Sequence, residues 1–584
     1  MSIKPYKPKK DVQPYLVCAL DIETASTGDV LAIGFAWTEN DTRHYKAFEG
    51  WAGWFEFFQT LYKESDKETR ERLRYVYAHN GAAFDWLSLL AWAEDNGHME
   101  KMKFIVSGGI GIGIDMKLPA CTVKLRDSVR LMPGTLDSLA QSFGTDQQKN
   151  TVPGDYISRM EDYKRDYPEE FWAYLKADVL SLQEIVYRFW TLIYNKVGSI
   201  ERLPMTLPAL AMKLWRMTLP HEIMVSSETR LRELERRAYT GGRTECYAAT
   251  VADVTIYDAN SLYPTVMESQ IFPASYRGGW TDEYNGLHGI YDVEYRQWNT
   301  DVKPVLRDET TNEFQYSGSG AYCQPELEML LEVGGEFIVK EGYVYDDMEP
   351  LFQEFIRDWY STRLTAQKEG NDGLAYVCKI LMNSLYGKFG QKEEGEVVYF
   401  WDEDTLEKEY EKVESGADDA KEFVEFGEYV IVKEQRHSET TFVGVAAYIT
   451  AHARLNLYRQ MRYVSELGGT LYATDTDSVH VSGVELPTGK ELGQWKEEFS
   501  GRGAYLGKKL YALDNGAVKA KGIGKDAREK LSFELFSELA KTGESIETEF
   551  TVFPSIKESL SRKRPVNQPF KRKRAIRATA PIVK

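Results

Sequence analysis

The sequence is poor in cysteine, in positive charge and in long apolar runs, and each shortage excludes something. The five cysteines among 584 residues (Cys18, Cys121, Cys246, Cys323 and Cys378) lie far apart and form no CxxC pair. That argues against a structural zinc site or an iron–sulfur cluster and suits a reducing cytosol, the expected location. No run of about 18 apolar residues occurs, so no membrane span is expected. The basic start, MSIKPYKPKK, leads into no signal-like apolar stretch. Lys and Arg number 72 against 90 Asp and Glu, a net charge of −18 that taken as a sum disfavours a nucleic-acid partner. The distribution says otherwise. Residues 562–584 hold nine basic side chains and no acidic one, whereas 402–429 are heavily acidic. The basic tail reads either as a solvated end or, better, as a grip on a phosphate backbone.

What is present is ample for folding: 43% hydrophobic and 13% aromatic residues, in a chain too long for a single core. Residues 14–24, PYLVCALDIET, read as a buried strand. RYVYAHN reads as a second, followed by a helical AAFDWLSLLAWAEDN, and 168–192 form an amphipathic helix opened by Pro168 and an acidic first turn. This makes the first 190 residues an α/β unit. Further on, VADVTIYDANSLYPTVM reads as strand, turn and helix. Residues 349–366 and 373–388 form a helical hairpin, and an insert spans about 395–435. A long helix beginning VGVAAYITAHA and a hairpin of 469–473 with 479–483 come next.

That hairpin, LYATDTDSVHV, carries Asp475 and Asp477 inside an apolar run. Like charges two residues apart on extended backbone repel unless a cation sits between them, and Mg²⁺ prefers such hard oxygens. Asp258, ending the strand VTIYD, is a third carboxylate placed to share metals with the hairpin. Two ions about 3.5–4 Å apart can clamp the attacking and leaving oxygens of a phosphoryl transfer. In LAYVCKILMNSLYGKFG, Lys379, Asn383, Tyr386 and Gly390 fall at steps of four, three and four and so share one helix face, suited to a nucleoside triphosphate. The N-terminal third repeats the pattern. Asp21 and Glu23 end a buried strand, Asp85 follows HNGAAF, and Asp178 lies one helical turn after Tyr174. Four acids on three elements could form a second two-metal site, with Tyr174 to position a water.

DANSLYP (258–264), KILMNSLYG (379–387) and DTDS (475–478), in that order, resemble the three polymerase motifs of family B DNA polymerases. The resemblance implies that Asp258 and Asp477 ligate catalytic metals beside Asp475. It also implies that Tyr263 excludes ribonucleotides, that Lys379 binds the triphosphate and that Tyr386 lines the nascent pair. KLY (509–511) matches the family's Lys-x-Tyr element, so Lys509 and Tyr511 would share a strand face and hold the primer end. The family's tyrosine two residues before the first aspartate is Ala473 here, with Tyr472 one step earlier. DIET, NGAAFD and YLKAD resemble the three motifs of the DEDD-type 3′–5′ proofreading exonuclease. DSVRLM resembles its single-strand-binding element and implicates Ser128, and Lys149 falls near where related phage enzymes place a catalytic lysine. AYTGGR resembles the Tyr-x-Gly-Gly linker that handles template between the two sites, which implicates Tyr239, Gly241 and Gly242.

The short length and the insert resemble the protein-primed branch of bacteriophages and linear plasmids. The implied fold is α/β and α+β multidomain, an RNase H-like exonuclease followed by a right-hand polymerase. Its expected parts are exonuclease 1–190, palm 191–270, first terminal-protein region 271–350, fingers 351–394, second terminal-protein region 395–435, palm 436–525, and thumb with basic tail 526–584. The implied function is a monomeric, processive, strand-displacing replicase with proofreading, located in the host cytoplasm if viral. It would use Mg²⁺ or Mn²⁺, two ions per site, with template-primer DNA, dNTPs, a terminal protein and a single-stranded-DNA-binding protein as partners. The alternatives are a family B enzyme using ordinary or no primers and an inactive nucleic-acid-binding protein that keeps only the fold. A reverse transcriptase is disfavoured by the proofreading motifs and by DTD in place of a DD pair.

Overall fold

The computed structural model describes residues 2–39, 42–107, 110–146, 152–391, 394–399, 407–408, 410–412, 421–426, 429–435, 441–552 and 570–581. Two large sheets organise it. The N-terminal sheet has the parallel core Cys18–Thr24, Tyr75–Ala78 and Thr122–Asp127, with antiparallel strands on both sides. The helix Pro168–Val197, with Pro168 in its first turn followed by Glu169 and Glu170, lies across Cys18–Thr24 and Val30–Glu39. A glycine sets how close it comes. Gly34 is the register partner of Asp21, and a Cβ there would stand 2.7 Å from Val179 Cγ2. The missing side chain lets the helix settle directly over the acidic end of the strand.

The second sheet has seven antiparallel strands, in the order Thr244–Cys246, Thr470–Asp475, Ser478–Ser482, Thr250–Ala259, Trp495–Gly507, Leu510–Leu513 and Val518–Ala520. The mostly buried helix Val443–Glu466 packs behind its hairpin. Helices Gln353–Lys368 and Asp372–Ser384 make the expected hairpin, and Val377, Leu381 and Leu385, apolar residues at helical spacing, are fully buried. A four-stranded sheet, Gly278–Thr281, Gly335–Tyr345, Gly289–Gln297 and Ser317–Cys323, stands beside it.

The insert does not stand alone. Its strand Glu394–Tyr399 pairs with Met102–Ser107, and Tyr429–Gln435 and Lys421–Phe426 add in turn, extending the N-terminal sheet to ten strands. This pairing covers an edge that would otherwise present open backbone donors and acceptors. Part of the basic tail is also ordered into a strand, Phe570–Arg577, paired with Ser545–Val552. All five cysteines are unpaired. No helix among the described residues is long and apolar enough to cross a membrane.

Candidate functional site: two carboxylate nests

The seven-stranded sheet brings Asp258 to the aspartate hairpin. Asp258 is in register with Ser478 on one side and Lys496 on the other, and Ala259 N–H donates to Asp477 O at 2.8 Å. The spacing of the two aspartates predicts one shared face of an extended backbone, but the backbone between them is not extended. The strand ends at Asp475 and Thr476 takes φ +67°, so the chain turns between them. Asp475 accepts from Lys509 Nζ at 2.8 Å, while Asp477 faces Asp258. The turn is held from behind: Thr476 N–H donates to Arg243 O at 2.8 Å, and Gly242 lies so near that a Cβ would be 2.7 Å from Thr476 Cγ2. Asp477 titrates upward to about 6, first through burial and then through Asp258, Asp475 and Glu498. Asp258 is also raised, by burial and Glu498, against the pull of Lys496 and Lys379.

Glu498 was not singled out from the sequence. Lys496 Nζ lies 3.2 Å from Asp258 Oδ1 and 2.6 Å from Glu498 Oε1. Only the cross-strand register of WKEEF against VTIYD discloses both. Four carboxylates thus face two lysines, a crowding of hard oxygens suited to divalent cations. Among the described residues no three His, Cys, Asp or Glu already stand in a closed ligand set. Mg²⁺ needs only one or two carboxylates, the rest of its shell coming from water and phosphate.

Around this nest, Tyr263 and Tyr386 stack with ring centroids 4.0 Å apart and planes 14° apart, and exposed Lys379 is close enough to act on Asp258. The single helix face expected for Lys379, Asn383, Tyr386 and Gly390 is broken. The helix stops at Ser384 and a separate turn, Tyr386–Phe389, begins. Asn383 Nδ2 donates back to Lys379 O at 2.8 Å, and Gly390 is buried against the Tyr239 ring. Lys509 is likewise not on a strand with Tyr511. It occupies the preceding turn at φ +53° and reaches Asp475 from there. Tyr511 packs with Tyr505 and His480. The displaced Tyr472 has a local cause: register shifts between Leu471 and Ala473, leaving Tyr472 as the extra residue of a bulge. It stacks on Tyr505, in the same aromatic group as Tyr511. A cavity of about 730 Å³ beside Lys509 is lined by Lys508, Lys521, Arg574 and Arg577, so part of the basic tail borders this nest.

The N-terminal nest borders a cavity of about 740 Å³ that Asp21, Glu23, Asp85, Tyr174 and Asp178 all line. Asp85 opens the helix Asp85–Asp95 and is almost wholly buried. Burial, then Asp127, pushes it up to about 7, while the N–H of Ile22, between Asp21 and Glu23, pulls the other way. Its Oδ1 is buried with no hydrogen-bond partner among the described residues, a lone pair that a cation would satisfy. Tyr174 is held far above the usual tyrosine range by burial and by Asp178, Glu23 and Asp21 together, so it stays a proton donor beside all three. Ser128 does not face this cavity. It is fully buried, its Oγ donates to Ala78 O at 3.2 Å and lies 2.9 Å from His79 Nδ1. The hydroxyl is enclosed between the Ala78 carbonyl and the His79 ring, and it is the neighbouring Val129 that lines the cavity. Lys149 lies outside the described residues. Tyr239 caps the helix Thr229–Ala238, and the carbonyls of Thr240 and Gly241 accept from Arg454 at 2.6 and 3.1 Å.

Comparison with known proteins agrees with this arrangement. A family profile described as DNA polymerase type B, organellar and viral, matches residues 65–164 and 154–460. The chain is 27% identical over 526 residues to the DNA-directed DNA polymerase of Enterobacteria phage PRD1, covering 87% of this chain and 85% of that protein. It is 25% identical over 498 residues to a probable DNA polymerase of Neurospora intermedia, covering 73% of this chain. The chain spans about half the length of that fungal relative and of its counterparts from Podospora anserina and Ascobolus immersus. The structure of phi29 DNA polymerase complexed with primer-template DNA superposes with a TM-score of 0.70 at 20% identity, covering 96% of this chain and 100% of that one. That likeness shows the fold, and with it the multidomain α/β and α+β architecture expected from the motifs. The chain belongs to the family of type B DNA polymerases, organellar and viral.

Proposed function

We propose that this protein is a DNA-dependent DNA polymerase with a 3′–5′ proofreading exonuclease, built from the parts delimited above. The observation that carries this reading is the existence of two separate carboxylate nests, Asp258 with Asp475 and Asp477, and Asp21 with Glu23, Asp85 and Asp178. Burial first, and then neighbouring carboxylates, raise Asp477 in the one nest (Asp258, Asp475 and Glu498) and Asp85 in the other (Asp127). Divalent ions held there, Mg²⁺ or Mn²⁺, would supply Lewis-acid stabilisation of the oxygens that gain charge in phosphoryl transfer.

In synthesis, Asp258 and Asp477 would hold the metals, and Asp475, paired with Lys509, orients that lysine toward the primer end. Lys379 neutralises the incoming triphosphate, and Tyr263, immobilised by its stack on Tyr386, closes the space a 2′-hydroxyl needs. In excision, Tyr174 donates a hydrogen bond to the attacking water that Asp178 and its neighbours orient. The relatives in phages PRD1 and phi29 favour a DNA-replicating enzyme, and the insert joined to the N-terminal sheet suits a closed passage for template and product. We read the priming mode as a terminal protein's hydroxyl receiving the first nucleotide.

Two assays decide. The double variant Asp258→Ala, Asp477→Ala should lose primer extension while keeping DNA binding and degradation of single-stranded DNA; loss of all three would mean misfolding, and retained extension would refute the site. Incubation with a candidate priming protein, one labelled dNTP and Mg²⁺ should yield a labelled protein adduct. Its absence, with extension of an ordinary primer intact, would favour the enzyme of ordinary primers.

A further inference from the structure

Beside the Tyr239–Gly242 segment lies a smaller cavity, about 240 Å³, walled by Arg236, Arg237, Arg307 and Arg454 against only two acids, Glu309 and Glu326. In a chain of net charge −18 this is a marked local reversal. Three of the four arginines are already engaged. Arg454 pairs with Glu326 at 2.7 Å, both buried. Arg237 pairs with Asp292 and Glu309, each at 2.8 Å. Arg236 donates to Gly390 O at 2.5 Å and to Gln391 O at 3.2 Å.

Arg307 is different. Its backbone is held, by a bridge to Phe314 and by the Tyr322 hydroxyl donating to its carbonyl at 2.6 Å. Its guanidinium makes no ion pair with any described residue. Half-buried, it is pushed below the usual arginine range by burial and by the facing Arg454, with Glu313 and Glu326 acting in the other direction. A cation kept in a positive, partly desolvated cavity is unfavourable unless an anion joins it.

We infer that this cavity seats one backbone phosphodiester of the DNA strand that passes Tyr239–Gly242 toward the aspartate turn, with Arg307 as its main contact. The inference rests on the polymerase reading above. The cavity is smaller than those that enclose drug-sized molecules, about 300–1,000 Å³, which suits a single phosphate rather than a nucleoside triphosphate. Its wall is continuous with the active site: the Thr240 and Gly241 carbonyls bind Arg454, and Gly242 abuts Thr476 between Asp475 and Asp477. A guanidinium presents two parallel donors to phosphate oxygens, a geometry that lysine cannot copy.

The test is binding of a labelled primer-template by fluorescence anisotropy across a salt series, for wild type, Arg307→Ala and Arg307→Lys. Arg307→Ala should weaken binding about tenfold, the range of a hydrogen bond to a charged group. It should also lower the slope of log K against log salt by about 0.7–0.9, one phosphate. Arg307→Lys should restore the slope more fully than the affinity. A single neutral methylphosphonate is then walked along each strand. Wild type should lose affinity at one position where Arg307→Ala loses none, which also tells template from primer. The inference is overturned if Arg307→Ala binds as wild type does, or if every methylphosphonate penalty persists in it. It is equally overturned if the variant loses only association with a priming protein. Because Arg307 holds no ion pair among the described residues, the melting temperature of Arg307→Ala should match wild type; a fall of several degrees would make Arg307 structural and sink the inference. Failure of the polymerase reading is separate, since it would appear as wild type binding DNA without extending it.

Discussion

Asp477→Asn should stabilise the metal-free protein while abolishing synthesis. In the folded chain Asp477 is raised from 3.8 to about 6, roughly two units, and each unit corresponds to about 1.4 kcal/mol. The ionised form is therefore disfavoured by folding. Below pH 4 the group is protonated in folded and unfolded chains alike and contributes nothing. Between about pH 4 and 6 the unfolded chain releases the proton first, so stability falls as pH rises. Above pH 6 the full penalty, about 3 kcal/mol, is present. An asparagine has nearly the same shape and no charge. Calorimetry in EDTA at pH 8 should show the transition that contains the seven-stranded sheet moving up by roughly 5 °C, and at pH 4 the gain should shrink toward zero. With Mg²⁺ at pH 8 the order should narrow or reverse, because only the wild type recovers the binding energy of the ion. A variant that is neutral or less stable than wild type at pH 8 in EDTA would refute the claim that burial, together with Asp258, Asp475 and Glu498, disfavours the ionised Asp477.

Asp85→Asn removes a buried carboxylate raised to about 7, so it should stabilise the metal-free N-terminal part above pH 7 and not near pH 4, while degradation of labelled single-stranded DNA falls to background and primer extension persists. Gly242→Ala places a Cβ 2.7 Å from Thr476 Cγ2 and should displace the aspartate turn, slowing single-nucleotide incorporation about 10–100-fold with excision unchanged. Glu326→Gln removes the negative charge that the buried Arg454 meets at 2.7 Å and should destabilise by about 3–5 kcal/mol in denaturant unfolding, the range for a buried charge left without its counter-charge.

Most of the carboxylates could be found in the sequence because metal chemistry restricts them to short patterns at the ends of apolar strands. DIET and YLKAD keep the spacing that local backbone geometry dictates, and the strand Cys18–Thr24 and helix Pro168–Val197 formed where periodicity and caps placed them. Pattern reading failed where the backbone departs from ideal repeats. Left-handed Thr476 and Lys509, the bulge at Tyr472 and the helix break after Ser384 each redirect a side chain that regular spacing assigned to another face.

The sequence by itself determined which residue types were available, which segments could be strand or helix, and that two sets of acids needed counter-charge. Only the tertiary structure decided their neighbours: Lys496 and Glu498 beside Asp258, Ser128 buried against Ala78 and His79, Arg307 without an ion pair among the described residues, and the insert joined to the N-terminal sheet. The physical reason is range. Propensity and periodicity act over a few residues, whereas Coulomb forces and sheet hydrogen bonds act between atoms near in space, whatever their separation along the chain.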